Sequence, residues 1–503
     1  MRGGRNVKKR LALNTMSSLL LQVCTIICGF ILPRLILSNF GSTTNGLVNS
    51  ISQFLGIITF LELGVGTVVQ SALYKPLAEN DSVEISKVIS SANKFFRRIA
   101  SILLVYVIIL CIVYPYISAK GNENRFEIVL LIIAMSVSSF AQYYFGIVDK
   151  LLLNADQHGY IQYIIQIICL IISTIVSVII INMGASIQLV KFSSSIIFLV
   201  QPFVIHIYVH KRYKVDKHIK YETEPIRQKW NGIAQHVSAI VLDGTDNIIL
   251  TIFSTLENVS IYAVYNMVLS GLKVLIVSLT NGIQPLLGEL RAKKEVEQLK
   301  SLFGRLEWSV HSLVTFVFTT AGVLIVPFVK VYTNGIIDAD YIQPVFSLLL
   351  TLAMAGYCLR LPYLMVVFAY GHYKQTQNSF IIAAIMNIVV SILTVYKWGL
   401  IGVAIGTVIS VFYQTIWMAI YNYKELLNWP IKATLKQVIT DAVIALLCYI
   451  ISHFFILGDT TYIEWIFLAI KVGGTVLLVM LIVNLIVYHR NLVWVLSKIR
   501  RSK

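Results

Sequence analysis

Residues 160–181 of the chain read YIQYIIQIICLIISTIVSVIII, and no charged residue interrupts them. A run of roughly twenty apolar residues crosses the hydrocarbon core of a bilayer as an α-helix, because the helix satisfies its backbone hydrogen bonds internally. The short connection NMGAS follows at 182–186, and another apolar run begins at 187. This stretch therefore predicts a membrane-spanning helix that is joined to the next one by a minimal turn.

The same pattern recurs along the whole chain. Apolar residues make up 57% of it and charged residues 13%, whereas soluble domains average about 45–50% and 25%. The run at 12–37 is too long for the apolar core of a signal peptide and has no cleavage site, so it is predicted to remain as the first span. These features predict an all-α polytopic membrane protein of about fourteen transmembrane helices. The predicted spans are residues 12–37, 45–72, 99–118, 126–148, 160–181, 187–209, 231–254, 259–288, 308–331, 342–369, 378–396, 399–421, 438–456 and 464–487.

Basic residues alternate between the connections. Most of the 41 Lys and Arg residues lie at the two ends and in the even-numbered connections, such as 210–230. Because cytoplasmic loops carry the excess of Lys and Arg, both termini are predicted to be cytoplasmic. These loops account for the net charge of +17, and no nucleic-acid partner is expected.

The external connections are too short to form a domain with an active site. The protein is therefore predicted not to be an enzyme, with no catalytic residues and no cofactor. The six cysteines lie inside apolar runs without the spacing of metal ligands, so no metal site is expected. The chain contains no G-x-x-x-x-G-K-[ST] phosphate loop, so ATP is not expected to drive it.

A repeat is visible in the sequence. FGSTTN at 40–45 precedes span 2 and FSTLEN at 253–258 precedes span 8, and a long span and a basic amphipathic segment follow each. The amphipathic segments, 81–97 and 293–307, are predicted to be separate helices on the inner leaflet, where anionic lipid attracts them. Because the repeat covers six spans, an even number, its two copies have parallel orientation. The chain is predicted to have three parts: an N-terminal six-helix lobe at 1–220, a C-terminal six-helix lobe at 221–430, and two extra helices with a basic tail at 431–503.

Lys273 and Arg360 lie deep within predicted spans, where an ionisable side chain is costly and usually faces a cavity or a partner. They are the best candidates to bind an anionic group, since Arg offers a planar donor fork and Lys a compact charge. Pro362 is expected to loosen the helix beside Arg360. Arg34, near the outer end of span 1, is a further candidate for substrate binding; it either snorkels to the interface or is turned inward by Pro33.

Three acidic residues are also deep in predicted spans. Glu62 lies in span 2 and is a candidate for substrate binding. Asp243 and Asp246 lie on one face of span 7 and are candidates to take up a proton or Na⁺ that drives exchange. Alternatively, these acids neutralise Lys273 and Arg360 in buried ion pairs that only stabilise the fold.

Four stretches carry a family resemblance: LILSNFGSTTNGL at 35–47, ELGVG at 62–66, DNIIL at 246–250 and IYAVY at 261–265. With these motifs the sequence resembles the polysaccharide-exporter branch of the multidrug/oligosaccharidyl-lipid/polysaccharide exporter superfamily. The resemblance implies two six-helix lobes around a central cationic cavity that opens alternately to each side. It also implies two extra helices that shape a groove for a lipid tail.

The resemblance implies a flippase in a bacterial plasma membrane, which exports a polyprenyl-pyrophosphate-linked oligosaccharide repeat unit for O-antigen, capsule or teuronic-type polymers. Membrane potential, or exchange of H⁺ or Na⁺, is expected to drive it. The expected partners are the lipid-linked oligosaccharide and membrane lipids, with a polysaccharide polymerase and glycosyltransferases.

Three other functions compete with this one. A multidrug cation antiporter of the same superfamily would favour an acidic cavity and normally about twelve spans. A polysaccharide polymerase or ligase would carry a sizeable external loop, and a channel would carry a filter-like repeat. Lys273, Arg360 and spans 13 and 14 favour the lipid-linked anion.

Overall fold

A computed structural model describes residues 2–118, 124–213, 215–216, 219, 244–280, 283–455, 457–489 and 491–492, with all side chains in these ranges except those of residues 2–9, 11, 60–64 and 67. The described residues form helices and contain no β-strand. The helices are α1 (Arg2–Gly56), α2 (Phe60–Glu79), α3 (Ser82–Ser118), α4 (Arg125–Ala141), α5 (Ile147–Ala155), α6 (Gly159–Asn182), α7 (Ile187–Arg212), α8 (244–253), α9 (Leu256–Thr280), α10 (Ile283–Ala292), α11 (Val296–Tyr332), α12 (Pro344–Leu359), α13 (Leu361–Ala369), α14 (Tyr373–Trp398), α15 (Leu400–Tyr421), α16 (Ile431–Ser452) and α17 (Tyr462–Val487). Two π-helical segments, Gln142–Gly146 and Asn422–Leu426, follow α4 and α15.

Twelve helices within the described ranges are long and apolar enough to cross a membrane, where the sequence predicts about fourteen. Predicted spans 1 and 2 share one candidate, Ala12–Thr59, because α1 continues through the connection between them. Only Gly41 departs from helical geometry there, with φ 82° and ψ 176°, a positive φ that glycine adopts without steric cost. Predicted span 7 is described only from Gly244 onward. The predicted all-α polytopic membrane fold is confirmed.

The ends of several helices follow from the sequence. The Oδ1 atom of Asp81 accepts the backbone N–H groups of Val83 and Glu84, both at 3.0 Å, and so caps α3. The hydroxyl of Thr461 accepts the N–H of Glu464 at 3.3 Å and caps α17. Such caps satisfy backbone donors that the first turn of a helix leaves without partners.

The sequence repeat has a structural counterpart in α3 and α11. Each of these helices is 37 residues long, and each carries a proline near its C-terminal end, Pro115 or Pro327. At about 1.5 Å per residue each extends over roughly 55 Å, well beyond the ~30 Å hydrocarbon core. Both helices therefore project out of the apolar layer at corresponding places in the sequence.

The prediction of separate amphipathic helices at 81–97 and 293–307 was wrong. In the structure residues 82–97 and 296–307 form the first turns of α3 and α11. The physical reason lies at the junctions, since residues 97–101 and 305–310 contain neither Gly nor Pro to end the helix. The basic face of each segment is consequently fixed on a long helix.

The chain divides into two compact units. The first comprises Met1–Ile240 with Thr255–Ser260, and the second comprises Val241–Ser254 with Ile261–Lys503. In the first unit, α2, α3, α5 and α7 surround one buried apolar cluster, and α1, α3, α4 and α7 surround another. Their members include Leu73, Phe96, Leu152 and Ile205 in one and Ile36, Ile51, Tyr114, Leu131 and Val190 in the other. Because lipid tails are as apolar as leucine, van der Waals packing stabilises these contacts.

The extra helices α16 and α17 pack against α11 in the second unit. The apolar contact includes Leu324, Ile444, Cys448, Val472 and Val476. Polar contacts add to it: the indole N–H of Trp308 donates to Asn484 at 2.8 Å, and Nδ1 of His311 lies 2.6 Å from Oδ2 of Asp441. Hydrogen bonds of this kind hold helices together within a bilayer.

Candidate functional site

A break in predicted span 10 positions Arg360. Helix α12 ends at Leu359 and α13 begins at Leu361, with Pro362 in its first turn. Proline lacks a backbone N–H and is tolerated there, whereas it interrupts the hydrogen-bond ladder of a continuous helix. The interruption expected from Pro362 is therefore present, and it lies at the residue that carries the charge.

Two cations contact one aromatic ring beside this break. Arg360 is 3% exposed, and its guanidinium carbon lies 4.7 Å from the centroid of the Tyr357 ring. The Nζ atom of Lys273, on α9, lies 4.7 Å from the same centroid. The Nη1 group of Arg360 also donates to the side-chain oxygen of Gln414 on α15. Cation–π contacts of about 0.5–2 kcal/mol each help to hold both charges in place.

Asp246, on α8, belongs to a buried hydrogen-bond chain. Its Oδ2 accepts the hydroxyl protons of Tyr262 at 3.0 Å and Thr407 at 2.8 Å. The amide of Asn387 donates to Thr407 at 3.1 Å and accepts from Thr245 at 2.7 Å. Four helices, α8, α9, α14 and α15, are thus linked through one carboxylate and its neutral partners.

A close approach of α14 and α15 makes this chain possible. A Cβ atom at Gly406 would lie 3.0 Å from the backbone oxygen of Asn387 and 2.9 Å from the backbone nitrogen of Ser391. Both contacts are tighter than those of nearly all real Cβ atoms. Glycine at this position lets the helices come close enough for Asn387 to reach Thr407.

These groups surround a cavity of about 120 Å³ in the second unit. It is lined by Asp246, Tyr262, Asn266, Ser270, Lys273, Tyr357, Arg360 and Thr407, with Ala353, Met354 and Val411. For comparison, a cavity of about 150 Å³ accommodates benzene. The space therefore suits an ion or a phosphate-sized group, and its polar lining offers two cations and one carboxylate to it.

The other predicted site residues lie elsewhere. Arg34 is half-buried on α1 in the first unit, and α1 continues through Pro33. Glu62 is on α2, and its side chain lies outside those described. Asp243 lies outside the described residues. The structure thus brings Lys273, Arg360 and Asp246 to one cavity.

Neutral polar residues complete the site, and the sequence analysis missed them. Asn387 and Gln414 are 0% exposed, and Thr407 is 5% exposed. The sequence does carry a signal for them, since an amide inside an apolar span needs a hydrogen-bond partner just as a charge does. A criterion based on charge alone therefore does not identify these neutral side chains.

No protein-family model matches the chain, and no curated protein sequence matches it. Solved structures do match. The chain is similar to the lipid II flippase MurJ in an inward closed conformation, with TM-score 0.73 and 16% identity over 96% of this chain and 100% of that one. It is similar to an inward-facing multidrug resistance MATE family transporter of the MOP superfamily, with TM-score 0.57 and 14% identity over 79% of this chain and 94% of that one.

A mutant of the Vibrio cholerae MATE transporter VcmN also matches, with TM-score 0.58 and 12% identity over 85% of this chain and 100% of that one. At these identities the likeness establishes the fold. The chain has the all-helical membrane fold that these proteins share.

Proposed function

We propose that the protein is a flippase that moves a polyprenyl-diphosphate-linked oligosaccharide from the inner to the outer leaflet by alternating access. The observation that carries this proposal is the pair of cations, Lys273 and Arg360, which contact Tyr357 and line one cavity within the second unit. A charged side chain at the centre of a membrane helix costs about 2.5–3.5 kcal/mol on insertion scales. An anionic diphosphate offsets that cost by accepting charge-assisted hydrogen bonds from both side chains.

The cavity volume limits what these residues recognise. About 120 Å³ suits a phosphate group and excludes an oligosaccharide, so Lys273 and Arg360 bind the charged linkage that all such substrates share. Glycosyltransferases would assemble the substrate and a polysaccharide polymerase would consume it, and these enzymes are the proposed partners. Arg34 and Glu62 are proposed to contact the substrate as well.

Asp246 is proposed to couple transport to a cation, together with Asp243. Its Oδ2 lies 3.0 Å from the hydroxyl oxygen of Tyr262 and 2.8 Å from that of Thr407, and hard cations such as Na⁺ prefer oxygen ligands. An inside-negative potential also favours outward movement of an anion, by about 2.3 kcal/mol per charge per 100 mV. The potential and ion exchange therefore act in the same direction.

Asp246 also supports a second candidate function, export of cationic drugs. A buried carboxylate attracts a cationic drug, and one of the matching structures is a multidrug resistance transporter. However, Lys273 and Arg360 line the same cavity, so a drug-sized cation that fills it would lie against two like charges. The lipid-linked anion therefore fits the charges of the cavity better.

Flipping of a labelled lipid-linked oligosaccharide in proteoliposomes tests the proposal. Arg360→Gln and Lys273→Gln are each expected to lower the rate about tenfold or more, because a hydrogen bond to a charged group contributes roughly 1.5–3 kcal/mol. Arg360→Lys is also expected to be slow, since the bidentate fork is lost. Lys471→Gln is the matched control, because Lys471 is exposed on α17 and does not line the cavity.

Wild-type rates in both neutral variants would refute the role of the two cations. Efflux of ethidium by the wild type, with no movement of the lipid-linked sugar, would establish the drug exporter instead. The amount of folded protein, measured by gel filtration, separates a loss of transport from a loss of structure.

The proposed direction of transport requires both termini to lie in the cytoplasm. Cysteines at Ser186 and Asp459, which are exposed, are expected to react with an impermeant maleimide added to intact cells. A cysteine at Gln375, also exposed, is expected to react only after the cells are opened. Ser42 lies in a connection that is predicted to be external, but it is 0% exposed, so it is unsuitable for labelling. The reverse labelling pattern would invert the topology.

A further inference from the structure

The first unit contains a larger cavity, of about 400 Å³. It lies between the first half of α3, the interrupted span formed by α4 and α5, and the end of α7. Its polar and aromatic lining consists of Ser90, Asn93, Lys94, Arg97, Arg98, Tyr144, Phe145, Asp149, His206 and His210. The proposed substrate site does not use these residues.

Three cations line this cavity from one helix. On α3, Arg97 and Arg98 follow Lys94 by three and four residues, so the three side chains share one face of the helix. Among the residues that the structure describes, no carboxylate oxygen lies within 4.0 Å of their side-chain nitrogens. The guanidinium carbon of Arg97 lies 5.2 Å from the centroid of the Tyr144 ring, on the opposite wall. The face therefore presents three positive charges to the cavity, and one of them is held by a ring.

Two histidines and one carboxylate form the facing wall. Nδ1 of His206 lies 2.6 Å from Oδ2 of Asp149, and Nδ1 of His210 lies 3.0 Å from the backbone oxygen of His206. The imidazole centroids are 3.9 Å apart. A carbonyl oxygen only accepts, so Nδ1 of His210 is the donor, and Nε2 is the remaining polar atom of each ring.

Such a cluster could in principle hold a divalent metal ion, since one ligand atom from each of Asp149, His206 and His210 lies within 4.8 Å of the others. The charges decide against it. The three basic side chains oppose a cation, whereas the single carboxylate among the described lining residues already bonds to His206. The net charge of the lining favours an anion.

The position of the cavity indicates which anion. Lys94, Arg97 and Arg98 directly precede the apolar run that begins at Ile99, and His210 lies in the last turn of α7. They therefore lie at the end of the apolar layer, at the level of lipid phosphate groups. Arginine binds phosphate through a planar fork, and lysine binds it as a point charge.

We propose that the basic cavity of the first unit binds a phosphate-bearing anion, supplied by a lipid headgroup or by a soluble phosphate compound. Lys94 and Arg97 bind the phosphate oxygens, and Tyr144 positions the guanidinium. This proposal stands on the geometry of the first unit and is independent of the proposed transport activity.

Binding to the full-length protein in nanodiscs tests the proposal in two arms. In phosphatidylcholine discs, inorganic pyrophosphate is titrated by calorimetry. In the second arm, retention of phosphatidylglycerol on the protein is measured by native mass spectrometry. The double variant Lys94→Gln, Arg97→Gln is expected to weaken binding about tenfold or more in whichever arm shows it. Lys75→Gln, Lys87→Gln removes the same charge outside the cavity and is expected to change binding less than about twofold.

Binding in the first arm alone identifies a soluble phosphate as the source, and binding in the second alone identifies the lipid. Equal binding by the wild type and the Lys94→Gln, Arg97→Gln variant would overturn the proposal, as would the absence of binding in both arms. Tight binding of Zn²⁺ that is lost in His206→Asn would replace it with a metal site. The two cations are exposed, so their replacement does not disturb the core, and the single variant Lys94→Gln provides a milder second test.

Discussion

Predicted spans 4 and 10 hold corresponding places in the two sequence repeats, and both are interrupted in the structure. Span 4 contains the π-helical segment Gln142–Gly146, and span 10 breaks at Arg360. A tyrosine in the first interruption and one just before the second each contact a cation: Tyr144 contacts Arg97, and Tyr357 contacts both Lys273 and Arg360.

The cavities beside these interruptions differ in size and in burial. The cavity of the first unit measures about 400 Å³ and has exposed cations, whereas that of the second measures about 120 Å³ and contains the buried Arg360. In each unit, a cavity lined by charged side chains thus lies beside an interrupted helix. The sequence around it decides whether that charge meets the membrane surface or lies deep within the unit.

A buried carboxylate holds the second half of each interrupted span, and the two carboxylates differ in their partners. Glu307, 3% exposed, accepts hydrogen bonds from Tyr363 on α13 at 2.7 Å, from Thr434 at 2.6 Å and from Trp429 at 2.8 Å. Asp149 on α5 is 6% exposed and bonds to His206 near the rim of a cavity.

The largest expected effect is that of Glu307→Ala. It leaves three donors without their acceptor, at about 1–3 kcal/mol for each buried group, so we expect a loss of about 3 kcal/mol or more. Glu297→Ala, at a side chain that is 91% exposed, should change stability by less than about 0.5 kcal/mol. The midpoint of thermal unfolding in detergent measures both. Equal midpoints for the two variants would contradict the anchoring role of Glu307.

The substitution Asp149→Asn tests the buried carboxylate of the first unit in the same way. The amide keeps the shape of the carboxylate and can still accept from His206, but the hydrogen bond no longer involves a charge, so we expect about 1–1.5 kcal/mol of destabilisation. The same unfolding measurement applies. A larger loss than that of Glu307→Ala would show that the carboxylate at the rim, not the fully bonded one, is the stronger anchor.

The next effect concerns the π-helical interruption itself. A Cβ atom at Gly146 would lie 2.7 Å from Cβ of Pro202 on α7, so Gly146→Ala is expected to cost about 1–3 kcal/mol through overpacking. Gly474→Ala is the control, because nothing lies within 4 Å of the added Cβ. Unchanged unfolding midpoints for Gly146→Ala would show that α7 does not pack tightly on the interruption.

Much of the fold could be predicted from the sequence because long apolar runs have few alternatives in a bilayer. Pro362 predicted the break at Arg360, and the deep position of Lys273 predicted a polar environment. Other features depend on contacts between distant residues. One partner of Asp441 is His311, 130 residues away in the chain, and no local pattern pairs these two residues.

The basic cavity was missed for a similar reason. His206 and His210 lie near a helix end and have the pattern of interfacial residues, whereas Lys94 and Arg97 have that of a surface face. Only the packing of α3 and of α7 on the interrupted span formed by α4 and α5 brings the two sets to one cavity. The residue pattern of a single helix predicts neither the cavity nor the net charge of its lining.

A histidine lies in the turn before α6 in the first unit and in the turn before α14 in the second, and the two histidines have different partners. His372, before α14, bonds to the hydroxyl of Tyr421 at 2.8 Å. His158, before α6, accepts a hydrogen bond from Nη2 of Arg212 through Nε2 at 2.9 Å. A histidine that accepts from a guanidinium must be neutral, so the turn of the first unit is sensitive to acid.

The smallest expected effect is a pH dependence of the first unit. Burial lowers the pKa of His158 below its usual value; Asp156 opposes this shift, and Arg212 adds to it. Since the unfolded chain then binds the proton more readily, the contribution to stability is full above about pH 6.5 and is lost as the pH falls below it. His158→Asn should flatten the dependence of the unfolding midpoint between about pH 7 and 5. An equally steep dependence in that variant would exclude His158 as its source.

The central claim is that Lys273 and Arg360 recognise a diphosphate. The most direct test compares the affinities of the protein in nanodiscs for a polyprenyl diphosphate and for the corresponding polyprenyl monophosphate. We expect the wild type and Lys471→Gln to prefer the diphosphate by about tenfold or more, and Arg360→Gln to lose that preference while remaining folded. An undiminished preference in Arg360→Gln and in Lys273→Gln would contradict the account.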